Sequence, residues 1–226
     1  MNDRGLFISV EGPDGSGKST VVKGIDRWIK EAIKKPYLIT KEPGCPHNKA
    51  CIQLRGILLD PDIKLSGGAE LFLMLADRNQ HVMNVLIPAL NENKIVVTDR
   101  YFDSTYAYQG FGRRHGESSV IREIEQLNEM ASMGLTPDLT ILIIVKPEVG
   151  IKRATKEEFG KEDTFEKEKL DFHERVCAGF MDMYDKQKDK RNILLIDSTN
   201  KSEQQCLAEI IDYLSNFFER KLNLGE

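Results

Sequence analysis

The chain has 226 residues, of which 40% are hydrophobic and 30% charged, and carries a formal net charge of −4. This length suits one substantial domain, and the slight acidity gives no global pull toward nucleic acid or anionic membranes, so basic residues count only by local placement. Four cysteines (Cys45, Cys51, Cys177, Cys206) without a CxxC pair suit a reducing cytosol and no disulfide framework; no N-terminal secretory pattern is expected, and no apolar run reaches the length of a membrane span.

In chain order, the apolar run Leu6–Val10 predicts a strand, and a helical pattern over Lys18–Ile33 follows, with Val21, Val22, Ile25, Trp28 and Ile29 on one stripe. Between them lies Gly12-Pro13-Asp14-Gly15-Ser16-Gly17-Lys18-Ser19-Thr20, which fits GxxxxGK[ST] in the strand–loop–helix setting the motif requires. Glycines let backbone N–H groups curl around a phosphate chain, and the helix N-terminus adds positive potential. Lys18 can reach the β- and γ-phosphates, and the Ser19 hydroxyl can ligate Mg²⁺. The stretch is read as a nucleotide-phosphate site.

A second strand is expected at Tyr37–Thr40, followed by helices at Lys49–Leu59 and Gly68–Asn91. Cys45, His47 and Cys51 lie close in sequence, but no fourth ligand accompanies them, so they are read as ordinary loop and helix residues. A third strand, Lys94–Thr98, delivers Asp99 and Arg100 at its carboxyl end. Asp99 stands where a Walker-B carboxylate would hold Mg²⁺ or its water, and Arg100 offers a planar fork suited to phosphate. A helix over Phe102–Tyr108 would bring Ser104, Thr105 and Tyr108 to one face beside Arg100.

The remaining elements are a helix at Ser119–Met133, strands at Leu139–Val145 and Ile193–Ile196, and helices at Thr164–Lys188 and Ser202–Phe218. The charged stretch Arg153–Asp163 reads equally as a solvated helix end or as a mobile flap over a site. Nearly continuous Val/Ile/Leu strands alternating with helices imply an α/β fold, a doubly wound five-stranded parallel sheet flanked by helices, with ligands at the strands' carboxyl ends. A GTP-dependent switch or binding module would need N-K-x-D. The stretch Thr199–Glu203 ends in Glu203 where Asp is required, and reads instead as a turn with a Ser202-x-x-Gln205 capping box.

With these segments assembled, the chain resembles the thymidylate kinases of the bacterial type. The matching stretches are EGPDGSGKST, KEPG, LRGILLD, AELFLMLADRNQHV, TDRYFDSTYAYQG, GLTPDLTILI and EKEKLDFHERVCAGF, in family order over nearly the whole chain. The resemblance implies a single P-loop kinase domain over residues 1–226, with a small mobile lid at 153–164. The implied reaction moves the γ-phosphoryl group of Mg·ATP to dTMP, giving dTDP, in a cytoplasmic homodimer that binds neither nucleic acid nor membrane. A kinase for another deoxynucleoside monophosphate, such as dUMP, is the alternative.

The resemblance also implies roles residue by residue. Lys18, Arg100, Asp14 and Arg153 would serve catalysis, with Asp14 bonding the acceptor's 3′-hydroxyl and Arg153 near ATP. Glu42 and Pro43 would border the acceptor sugar and phosphate, and Arg55 would assist with that phosphate. Arg78 and Thr105 would read the thymine edge, Tyr108 would crowd C2′, and Ser104 and Gln109 would line the pocket. For Glu42, Arg55, Gln109 and Arg153, surface or packing roles stand as the alternative.

Three departures from the family pattern carry expectations. Met74 stands where relatives commonly stack a Phe on thymine, and Phe72 would point to nearly the opposite side of the helix. The flap reads Asp163-Thr164-Phe165-Glu166 without the usual arginine and the P-loop offers Gly15 in place of one, leaving Arg153, Lys156 and Lys161 as candidate cations. Cys45 replaces the second glycine of EPGG.

Overall fold

The computed structural model describes residues 4–114, 116–157 and 170–222. Five strands, β1 (Phe7–Glu11), β2 (Tyr37–Lys41), β3 (Ile95–Asp99), β4 (Leu139–Ile144) and β5 (Ile193–Asp197), form one sheet in the order β2-β3-β1-β4-β5. Every pairing is parallel. All five side chains of β1 are buried, as expected for a central strand covered on both faces.

On one face lie α1 (Lys18–Trp28) and α9 (Glu203–Leu222), whose apolar stripes meet the β-branched residues of β1, β3 and β4. Trp28 and Phe218 close that layer edge to face, with ring centroids 5.1 Å apart. The capping box holds at the start of α9: Ser202 N–H donates to Gln205 Oε1 at 2.8 Å, and Gln205 N–H donates to Ser202 Oγ at 3.2 Å.

The other helices among the described residues are α2 (Lys49–Leu59), α3 (Gly67–His81), α4 (Ile87–Asn91), α5 (Phe102–Thr105), α6 (Ser118–Ser132), α7 (Pro147–Glu157) and α8 (Leu170–Gln187), of which α4, α6 and α8 pack with Phe7, Val96 and Leu142 on the opposite face of the sheet. The single helix expected over Gly68–Asn91 is α3 and α4 joined by a wide π turn, Val82–Leu86. The helix expected at Phe102–Tyr108 runs on through a longer π segment, Tyr106–Arg113. That segment packs on Phe172, Val176 and Phe180 of α8. The helix expected from Thr164 is described from Leu170 onward.

One helix was not expected. Residues 147–157, read in part as the opening of a flap, form α7, with Pro147 at its start where the missing N–H costs nothing. Gly150 weakens its helical pattern in the sequence, and packing explains the residue: a Cβ there would lie 2.7 Å from the Asp14 carbonyl oxygen. Residues 158–164 of the expected lid, Lys161, and the stretch Asp163–Glu166 lie outside the described residues, as does the Lys156 side chain.

Register positions the site. Val10 of β1 is level with Asp99 of β3, and the Arg100 N–H donates to the Val10 carbonyl at 2.9 Å. The glycine-rich loop leaving β1 and the Asp99–Arg100 pair leaving β3 therefore begin side by side at the carboxyl edge of the sheet, at the point where strand order reverses.

Candidate active site

The loop after β1 turns through positive backbone angles at Gly12 (φ 143°), Gly15 (φ 69°) and Gly17 (φ 95°), conformations that L side chains rarely adopt. Gly17 precedes Lys18 at the start of α1, so the loop's amides and the positive end of that helix face one hollow. Lys18 is buried and its ammonium donates to the Pro13 carbonyl at 2.7 Å, inside the curl of the loop. Burial and the nearby Arg100 charge push its pKa down to about 8, against the pull of Asp14, Asp99 and Glu11.

Arg100 is the hub. It carries a positive φ of 69°, a backbone conformation that costs a non-glycine residue about 1–3 kcal/mol and is held here by the surrounding bonds. Its Nη1 donates to the Gly12 carbonyl at 3.0 Å and to Ser104 Oγ at 3.1 Å. Its Nη2 donates to Asp14 Oδ1 and to the Tyr108 hydroxyl at 3.2 Å, while the Tyr108 hydroxyl donates to Asp14 Oδ2 at 2.8 Å. The guanidinium carbon lies 4.9 Å from the centre of the Tyr108 ring. Burial alone would raise the Asp14 pKa, but the charges of Arg100 and Lys18 and the Tyr108 bond outweigh it and hold the carboxyl below its usual range.

Beneath this triad is Glu11, a residue the sequence reading did not single out although it is the last residue of β1. It is fully buried, accepts from Tyr101 N–H at 2.7 Å and Ser104 Oγ at 2.6 Å, and so fixes the turn that presents Arg100. Burial and the Asp103 charge push its pKa up to about 7.

A second buried network centres on Arg78. Arg78 donates from Nε to Glu42 Oε2 at 2.9 Å, from Nη1 to Thr105 Oγ1 at 2.9 Å and Asn128 Oδ1 at 2.6 Å, and from Nη2 to the Tyr101 carbonyl at 3.0 Å. A guanidinium has five N–H groups, so a single one, on Nη2, is left over by these four bonds. Glu42 in turn meets His81 Nδ1 at 2.8 Å, and His81 Nε2 lies 2.9 Å from Thr40 Oγ1. Asp77 accepts from Gly44 N–H with both oxygens at 3.1 Å, fastening the loop after β2. Asp77, His81 and Asn128 were missed; for the first two the signal lay in polar residues four apart on α3 beside Arg78, on a helix that otherwise should be apolar toward the core, whereas Asn128 belongs to α6 and meets Arg78 only in the fold. Cys45 and Cys51 are both buried and pack with Val85, and His47 Nε2 lies 3.0 Å from the Ile39 carbonyl oxygen.

One cleft of about 440 Å³ joins the two networks. Asp14, Gly15, Gly17, Lys18, Ser19 and Thr20 line it from the loop, and Glu42, Pro43, Arg55, Met74, Arg78, Asp99, Arg100, Ser104, Thr105, Tyr108 and Gln109 line the rest. Gly12, Pro13 and Ser16 shape the loop behind it. Phe72 is 63% exposed and points away, so Met74 alone of the two borders the cleft. Arg55 folds over Gly44 and donates to the Pro43 carbonyl at 2.9 Å. Arg153 stands apart: it reaches the Ser198 carbonyl at 3.1 Å and the Thr199 carbonyl at 3.3 Å on the turn after β5, while its neighbour Ala154 lines the cleft.

The donor set fits a magnesium ion carried on phosphates. Asp99 Oδ1 is buried without a hydrogen-bond partner among the described residues, and the exposed Ser19 lines the same cleft. Among the described residues no group of three or more His, Cys, Asp or Glu could form an all-protein cage. Mg²⁺ asks for one or two protein oxygens, taking the rest from phosphate and water.

A parallel α/β sheet, a phosphate-cradling loop and a facing guanidinium–carboxylate pair define a P-loop kinase. The family model described as thymidylate kinase matches residues 10–210. Thymidylate kinase of Lactobacillus helveticus is 40% identical over 220 residues, covering 97% of this chain and 98% of that protein. That of Lactobacillus acidophilus is 40% identical over 89% of this chain and 90% of its own length, and that of Carboxydothermus hydrogenoformans 40% over 89% and 93%. The chain belongs to the thymidylate kinase family.

Proposed function

We infer that this protein transfers the γ-phosphoryl group of ATP to the 5′-phosphate of dTMP, forming dTDP and ADP. The observation that carries this reading is the junction of Asp14, in the phosphate loop, with Arg100, at the end of β3, and Tyr108, in the π segment, inside one cleft. Two anions must be brought end to end there, and alignment with charge neutralisation is most of what phosphoryl transfer asks of a protein.

Lys18 and the loop amides hold the donor's β- and γ-phosphates, with Gly12 to Thr20 as the cradle. Ser19 and Asp99 would hold Mg²⁺, which when bound offsets charge on the donor phosphates. Arg100 turns its fork to the acceptor phosphate, and Asp14, thereby relieved of part of its pairing, accepts from the sugar 3′-hydroxyl. The Tyr108 ring, braced by Phe172 and Phe180, closes the space at C2′ and disfavours a ribose. Glu42, Pro43 and Arg55 border the sugar and phosphate; Arg78, Thr105 and Gln109 face the base edge, and Met74 covers a base face. Arg153 supports the ATP side through the turn after β5.

The outer surface of α2, α3 and the π turn after it exposes Ile52, Ile57, Phe72 and Met83, which supports pairing of two copies through these segments. The free cysteines suit a cytoplasmic protein. No helix among the described residues is long and apolar enough to cross a membrane.

A panel of dTMP, dUMP, dCMP, dGMP and AMP with Mg·ATP, followed by ADP release, tests the reading. The expected result is the highest kcat/KM with dTMP; a preference for another acceptor, or turnover with none, would overturn it.

A further inference from the structure

Gln109 is 2% exposed, lines the acceptor cleft, and has its two amide ends in different situations. Its Nε2 donates to Glu70 Oε1 at 2.5 Å. Its Oε1 is buried and has no hydrogen-bond partner among the described residues. An amide oxygen buried without a donor has lost its hydration uncompensated, a cost that a ligand's N–H would remove.

The amide cannot be reversed while Glu70 is a carboxylate. Reversal would set the Gln109 oxygen against a carboxylate oxygen at hydrogen-bond distance with no proton between them. Arg113 pairs with Glu70: its Nε lies 3.5 Å from Oε1 and its Nη2 3.4 Å from Oε2, and its guanidinium is seated 4.9 Å over the Phe172 ring. Glu70 stands in the first turn of α3, where a negative side chain is favoured, with only 11% of its side chain exposed. Geometry, pairing and helix position therefore hold the same orientation.

We propose that Glu70 is a specificity-determining positioning residue: by clamping the Gln109 nitrogen it leaves a carbonyl oxygen as the group offered to the base, and so admits bases that present an N–H there. This rests on the dTMP kinase reading of the site. Thymine and uracil carry such a hydrogen at N3; cytosine carries a lone pair at N3 and would face the Gln109 oxygen acceptor to acceptor. Met74, a flexible thioether on the base face, offers every pyrimidine the same cover, which leaves discrimination among them to the hydrogen-bonded edge. A polar edge is the stronger discriminator in any case, since a mismatched partner leaves buried groups unpaired.

The test is the ratio of kcat/KM for dTMP to that for dCMP, with Mg·ATP saturating, in the unaltered enzyme and in Glu70→Gln. The substituted amide is nearly isosteric and can donate to the Gln109 oxygen, so Gln109 is free to turn. The expected result is a fall of about tenfold or more in the ratio, with dCMP turnover rising in absolute terms. Equal losses for both acceptors would mark Glu70 as a structural support and overturn the proposal. Should Glu70→Gln fail to fold, N3-methylated dTMP on the unaltered enzyme decides: turnover within about threefold of dTMP would overturn it, since no N–H is then needed. If the unaltered enzyme does not use dTMP, the functional reading fails; if it does and the ratio is unmoved, only the role of Glu70 fails.

Discussion

The backbones of Gly15 and Gly150 touch: a Cβ built on Gly15 would lie 2.0 Å from the Gly150 carbonyl oxygen. The phosphate loop and α7 are thus packed without side chains between them. Relatives that carry a catalytic arginine in the loop offer an apparent route to a faster enzyme, by installing Gly15→Arg. The structure predicts the opposite outcome. The new side chain meets backbone that cannot step aside, at a φ of 69°. A destabilisation of about 2 kcal/mol or more and a loss of kcat are expected, read by thermal melting and steady-state kinetics.

That contact also shows where the sequence was readable and where it was not. The strands, the phosphate loop and the Asp99–Arg100 pair were legible because each is a short-range pattern: a β-branched run, or fixed residues at fixed spacing. The α7 helix was not, because its Gly150 answers to Asp14, far away in the chain. Glu11 and Asp77 were missed for a related reason, since their partners (Tyr101, Ser104 and Gly44) come together only in the fold. The π segment Tyr106–Arg113 was equally invisible to a reading that assumes 3.6 residues per turn. The tether of Arg153 to Ser198 and Thr199 was not legible either, since the turn after β5 meets α7 only in the fold.

Arg100 supplies both charge and a fork. Its bonds to Gly12, Asp14, Ser104 and Tyr108 use both terminal nitrogens, a geometry an ammonium cannot copy. Arg100→Lys is expected to lower kcat about tenfold or more, and Arg100→Ala about a hundredfold or more. Circular dichroism should show the fold intact in both. Undiminished turnover in folded Arg100→Ala would remove Arg100 from the mechanism.

Lys18 gives a pH signature. Its pKa in the free protein is pushed down from 10.5 to about 8, so above pH 8 the side chain is increasingly neutral and must take up a proton to meet a phosphate. ATP affinity should weaken as pH rises past 8, approaching about tenfold per pH unit. Calorimetry at pH 8.5 in buffers of different ionisation enthalpy should show net proton uptake on Mg·ATP binding, abolished in Lys18→Met. No uptake would mean the ammonium is already charged or is not engaged.

His81 affects stability in a different window. Burial lowers its pKa, but bonds with Cys45 and Glu42 outweigh burial and raise it from 6.5 to about 9. A raised folded-state pKa contributes stability that is complete below pH 6.5 and is lost as pH climbs through 9. The facing charged or titratable groups are Glu42 and Cys45, with Asp77 and Arg78 on its own helix. Denaturant unfolding should show a decline on the order of 2 kcal/mol between pH 6.5 and 9 in the unaltered protein, and a shallower one in His81→Gln. Lys18 acts with opposite sign above pH 8, so the comparison is cleanest between pH 7 and 8.

Met74 borders the cleft as a half-buried side chain while Phe72, two residues earlier, is 63% exposed on the far side of α3. No aromatic ring of that helix therefore borders the cleft. A thioether covers a base through dispersion but samples several rotamers, whereas a phenyl ring is rigid and stacks with an offset worth about 0.5–1.5 kcal/mol beyond area burial. Met74→Phe is expected to tighten dTMP binding by about two- to tenfold, with the KM for ATP unchanged. Because the stacking gain is shared by every pyrimidine, the dTMP-to-dCMP ratio should stay near its original value. Isothermal titration with dTMP alone reads the affinity directly. Unchanged or weaker binding would show that Met74 already fills the face as well as a ring can.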